Sequence, residues 1–154
     1  MGNHDIMGDK DLFYSIQSLS PIKILANESI DFSRINLVGI LDKSARKGKS
    51  IDEVLHSFSL PTNNQFTIFL THQPLTLDKI KEYPFDLELA GHTHRGQFYG
   101  LRKIVERVNG YGYGRYDEYG KTAFVTQGIG TRGLPFRLGT QSEIVLLHLM
   151  PKNS

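Results

Sequence analysis

Three short segments of this chain carry residues whose types and spacing suit metal chemistry: Gly2-Asn3-His4-Asp5, Thr71-His72-Gln73-Pro74 and Gly91-His92-Thr93-His94. They hold four of the six histidines. Neutral imidazole and amide oxygen are good ligands for Zn, Fe, Mn or Ni-type ions, and a cysteine-free N/O set suits hydrolysis rather than electron transfer. His92 and His94 stand two apart, so on a strand or extended turn both rings point the same way, toward one cation or two adjacent ones. Gly91 lets the backbone come close without a side chain in the way. Each segment also has a plainer reading. A histidine before Gln-Pro is an ordinary loop residue, a His-x-His pair arises by chance on surfaces, and Asn-His-Asp makes a turn. Their joint occurrence is what points to a site.

The elements that must position these segments are legible in outline. Leu12, Phe13, Ile16 and Leu19 recur at helical spacing after Asp9, a suitable N-cap, and Pro21 follows. Residues 22–26 and 30–41 read as strands. Ser50 and Glu53 form a capping box, with Ile51, Val54, Leu55 and Phe58 on one face of a helix that Pro61 closes. Phe66 to Thr71 reads as a strand buried on both faces. A short helix around Leu77–Lys81 leads to a strand from Asp86 to Ala90, and Thr122–Gln127 and Glu143–Leu149 complete the set. Eleven of the fifteen glycines fall between Gly91 and Gly139, so that part reads as strands joined by long loops. Strands alternating with helices imply an α/β layered fold. Open α/β sheets collect ligands at the carboxyl ends of their strands, which is where His72, His92 and His94 fall.

Composition narrows the classes further. The 154 residues allow one domain, and 39% hydrophobic with 22% charged residues is globular usage. The absence of cysteine excludes a disulfide scaffold, a thiolate zinc site and a thiol nucleophile, and is consistent with a reducing compartment. Eighteen basic against sixteen acidic residues give a charge of +2, too balanced to indicate a nucleic-acid partner. No apolar run approaches the ~20 residues of a membrane span, and no signal peptide opens the chain.

Together, Gly2-Asn3-His4-Asp5, Thr71-His72-Gln73-Pro74 and Gly91-His92-Thr93-His94 resemble, in order and strand-end placement, the last three signature blocks of the calcineurin-like metallophosphoesterases. The segment from Gly128 through Arg132 and Pro135 to Arg137, followed by Ser142-Glu143-Ile144, resembles a bacterial subgroup of them. The resemblance covers essentially residues 1–154 as the carboxyl-terminal part of such a domain. It implies a layered β-sandwich flanked by helices, incomplete at its amino terminus, and a hydrolase that uses two divalent cations on a phosphate-ester or pyrophosphate substrate. It also implies that Asn3, His72 and His92 are ligands of one metal and His94 of the other. His4 then stabilises the transferring phosphoryl oxygens or protonates the leaving group, and Asp5 fixes the turn.

The chain departs from the family in lacking the Asp-x-His block and the Gly-Asp-x-x-Asp block that precede these three. Gly8-Asp9 follows the Asn-His block, and Leu12 stands where the second carboxylate belongs. Three explanations are open: a truncated longer protein, a half that an amino-terminal half complements in trans, or a degenerate domain acting as a binding or interaction module. Activity is expected only when the missing half is supplied. The resemblance places the chain in the cytoplasm, or at a membrane through an amino-terminal segment that the chain lacks. Other features have simpler readings. Lys43, Arg46, Lys47 and Lys49 make a solvated basic loop, while Arg95, Arg132 and Arg137 are candidate anion contacts. Tyr111, Tyr113, Tyr116 and Tyr119 form a substrate rim or a self-packed loop, and His56 and His148 are structural.

Overall fold

A computed structural model describes residues 2, 3, 5, 14, 15 and 17–150. Their centre is a six-stranded mixed sheet. Its strands are β1 (Glu28–Phe32), β2 (Ile35–Gly39), β3 (Phe66–Leu70), β4 (Leu87–Ala90), β5 (Gly114–Glu118) and β6 (Lys121–Val125). The spatial order is β1-β2-β3-β4-β6-β5. The inner strands β2, β3, β4 and β6 run parallel, and β1 and β5 close the two edges antiparallel. The helices α1 (Ile51–Leu55), α2 (Leu77–Ile80) and α3 (Arg102–Asn109) flank this sheet, giving the expected α/β layering. No helix among the described residues is long and apolar enough to cross a membrane.

Strand register explains the core. Val38, Phe69, Glu88 and Ala123 stand side by side across β2, β3, β4 and β6. That row, with Ile40, Ala90 and Val125, faces α1, α2 and Tyr111. Helix α1 begins as its sequence dictates: the Ser50 side chain accepts from Glu53 N and the Glu53 side chain accepts from Ser50 N. It buries Val54 and Leu55, each 1% exposed, a burial that contributes about 1.5–3 kcal/mol per side chain.

The expected elements hold with four corrections. Residues 22–26 form no strand; Leu25 packs instead on Gly39, where an added Cβ would lie 2.1 Å from the Leu25 Cβ. The single strand expected over 30–41 is a hairpin that turns at Ser33-Arg34, with Ser33 at φ +65°. The strand expected over 143–149 does not form. Strand β6, just upstream of that segment, is already paired on both sides, so Glu143 binds by its side chain instead, to Thr126 and Gln127. Finally, the glycine-rich stretch contains α3 and the hairpin β5–β6. The hairpin turns at Tyr119-Gly120, both at positive φ, as a tight two-residue turn requires. Most of the helix expected after Asp9 lies outside the described residues; Tyr14, Ser15, Gln17 and Ser18 are helical.

Candidate metal centre

Four parallel strands deliver their carboxyl ends to one edge of the sheet. Beyond β2 comes Asp42, beyond β3 His72, beyond β4 His92 and His94, and beyond β6 the loop from Gln127. The amino-terminal segment folds onto this edge. The His72 Nε2 lies 2.7 Å from Asn3 Oδ1 and 3.0 Å from His92 Nδ1. The two rings meet edge-to-face with centroids 4.8 Å apart. Gly2 permits this approach, since a Cβ there would come 2.7 Å from the His72 ring. The Gly2 N–H donates to Asp5 Oδ2 at 2.8 Å, so Asp5 fixes the turn.

Asn3 Oδ1, His72 Nε2 and His92 Nδ1 therefore converge. Both separations are hydrogen-bond distances, and the group offers one amide oxygen and two ring nitrogens that would hold a divalent cation. Burial, with the neighbouring His72, pulls His92 down to about 4, which leaves its ring neutral at neutral pH. No three His, Asp or Glu side chains among the described residues cluster closely enough to hold an ion, and the third donor of this group is the Asn3 amide.

His94 is placed elsewhere. Residues 92–97 are not extended: Thr93 is helical and His94–Gly96 makes a 3-10 turn. His92, His94, Arg95 and Gln97 all take positive φ, a costly backbone that is concentrated at functional sites. This kink breaks the two-residue alternation, and the two rings take different partners, His72 for His92 and Arg137 for His94. The His94 Nδ1 accepts from Arg137 Nη2 at 3.3 Å, and Arg137 also donates to the carbonyls of Gln127, Gly128 and Gly130. Burial and then the Arg137 charge hold His94 below its ordinary value. His4 lies outside the described residues.

Two buried carboxylates flank the histidines, and sequence reasoning missed both. Asp42 is 1% exposed; its Oδ1 accepts from Ser44 N at 2.9 Å and Ser44 Oγ at 2.5 Å, and its Oδ2 has no partner among the described residues. Burial pushes this carboxyl up, but the Ser44 bonds and the His72 and His92 rings outweigh it and leave it below its usual range. Glu88 is fully buried beneath the His72 loop, where its Oε1 accepts from Thr71 Oγ1 and Leu75 N, both at 2.7 Å. The signal for both was available: an acidic residue inside or directly after an apolar strand, where only a paired carboxylate is tolerated. A buried polar atom left without a partner costs about 1–3 kcal/mol, so Asp42 Oδ2 and Glu88 Oε2 require a reason.

The remaining sequence candidates are accounted for. Arg95 lies over the Tyr113 ring at 4.4 Å, and Tyr111 stacks on Tyr116 at 4.0 Å. His56 Nδ1 lies 2.7 Å from Asp52 O, as a structural histidine does. A cleft of about 190 Å³ opens beside His92 and His94, walled by Phe98, Leu101 and Val105 with Arg132 at its rim.

The chain matches no family model and no solved structure. It is 34% identical over 155 residues to an uncharacterized metallophosphoesterase of Helicobacter pylori, across 99% of this chain and 42% of that protein. A Bacillus subtilis uncharacterized metallophosphoesterase is 28% identical over 164 residues, across 99% and 55%. A Bos taurus transmembrane protein with metallophosphoesterase domain is 29% identical over 169 residues, across 96% and 37%. The chain thus spans about half, or less, of the length of these relatives.

Proposed function

The chain belongs to the calcineurin-like metallophosphoesterase family, and on that premise we propose that it supplies part of a two-cation centre that hydrolyses a phosphate ester. The observation that carries this reading is the convergence of Asn3 Oδ1, His72 Nε2 and His92 Nδ1 at the carboxyl edge of the sheet. These three residues hold one divalent cation of the Mn, Fe, Zn or Ni type. Cations in such a centre neutralise the charge that develops on the phosphoryl oxygens. His94 would serve a second cation, its Nδ1 now accepting from Arg137, and His4 would stabilise the phosphoryl oxygens or protonate the leaving group. The neutral state of His92 keeps its nitrogen available as a donor rather than a proton carrier. The cleft beside His92 and His94 admits the ester, with Arg132 at the anionic end.

Residues 1–154 carry neither the Asp-x-His nor the Gly-Asp-x-x-Asp block, so further carboxylate ligands would have to be supplied by a segment bearing them. The test is Mn-dependent hydrolysis of p-nitrophenyl phosphate and bis(p-nitrophenyl) phosphate by the chain alone and joined to that segment. Little turnover is expected from the chain alone and recovery from the joined protein, with His92→Ala abolishing it. Robust turnover by residues 1–154 alone would overturn the carboxylate requirement. Wild-type rates from His92→Ala would overturn the ligand assignment. A joined protein that binds metal yet never turns over would instead fit a binding module.

A further inference from the structure

We propose that Asp42 is the anionic positioning residue of the cation site, offsetting the charge of an ion held by Asn3, His72 and His92 without ligating it directly. The inference rests on the reading of those three residues as cation donors. Asp42 follows β2, and β2 pairs in parallel with β3, whose end carries His72. The pairing continues past the strand as Ile40 N donates to Leu70 O, which brings Asp42 and His72 to the same edge. Ser44 holds one carboxylate oxygen from two directions, and the other, on a side chain 1% exposed, has no hydrogen-bond partner among the described residues. The Arg46 guanidinium acts on Asp42 by its charge but makes no described hydrogen bond to Oδ2, its Nε donating to Leu41 O at 2.9 Å. The charge of Asp42 acts on both His72 and His92. A buried carboxylate oxygen that no described donor reaches, placed beside Asn3, His72 and His92, gains a direct counter-charge when a cation binds there. Partners one step behind metal ligands are the groups that orient them and tune affinity.

Asp42→Asn keeps the shape and the Ser44 bonds while removing the charge. Zn²⁺ binding to the full chain is measured by calorimetry, with His92→Ala marking the site, and thermal unfolding is followed in EDTA and in Zn²⁺. Asp42→Asn is expected to bind Zn²⁺ roughly 10–100-fold more weakly. Its unfolding midpoint in EDTA should lie somewhat below that of the wild type, because the Ser44 bonds and the neighbouring rings favour the charge, and the rise that Zn²⁺ gives should be smaller than in the wild type. A merely structural role lowers the midpoint equally in EDTA and in Zn²⁺, so a Zn²⁺-induced rise that is the same in both proteins overturns the proposal. Wild-type chain that binds no Zn²⁺ at a His92-dependent site overturns the donor reading and this inference with it. Zn²⁺ binding that is equally tight in wild type and Asp42→Asn overturns the role of Asp42 alone.

Discussion

Glu88 shows how a single side chain links the core to the site. It sits fully buried among apolar neighbours on β4, and burial pushes its carboxyl up to about 7 against the bonds from Leu75 and Thr71. The native state therefore keeps a proton on Glu88 between 4.5 and about 7, where the unfolded chain has already lost it. Stability from this group is complete below 4.5 and is lost as pH rises through about 7. Glu88→Gln can still accept from Thr71 and Leu75 but carries no charge. Its stability relative to the wild type should rise by about 1–3 kcal/mol between about pH 5 and about pH 8 in chemical denaturation. A constant difference across that range would show that Glu88 does not titrate there. His92 contributes with the opposite sign: its value is lowered to about 4 from 6.5, so its share of stability is lost as pH falls through that window.

At the scale of elements, the short helices hold by their ends and by what they bury. Helix α1 has five residues, too few to persist alone, so its capping box and its buried Val54 and Leu55 must sustain it. Ser50→Ala removes one half of the reciprocal bonding and should cost about 0.5–2 kcal/mol, read as a lowered denaturation midpoint with an unchanged slope. A neutral outcome would mean that packing alone specifies α1. The loops obey a different logic. The His72 turn is held from beneath by Glu88, and the 127–130 loop is gathered by Arg137 through its carbonyls. These contacts, rather than propensity, set where the donor atoms stand.

Across the whole molecule, the two faces of the sheet differ. One meets α1, α2 and Tyr111 in a closed core, and Phe69 stacks on Phe85 at 4.6 Å within it. The other presents Ile30, Leu37, Leu70, Leu89 and Phe124, none of them fully buried, with Phe32 63% and Phe66 40% exposed. Inner parallel strands are ordinarily covered on both sides, and an apolar face left partly open associates. The isolated chain should therefore bind the dye ANS and show a mass that grows with concentration in sedimentation. A monodisperse, ANS-silent monomer would mean that Leu25, Leu147 and Leu149 cover this face well enough in solution.

The sequence by itself determined the local elements and the inventory of donors. The Ser50–Glu53 box, the apolar run at Phe66 and the three histidine-bearing segments are each written in neighbouring residues, where spacing and residue type suffice. It also placed the donors at strand ends, because a strand and the loop that follows it are contiguous in the chain. Only the tertiary structure decided which donors meet. Asn3 reaches His72 across 69 positions, His92 turns toward His72, and His94 turns away to Arg137. Those outcomes depend on the strand order and on a left-handed kink after Gly91, neither of which leaves a periodic trace in the chain. The same holds for Asp42 and Glu88, whose acidic side chains gain meaning only from the burial and the partners that the parallel sheet imposes on them.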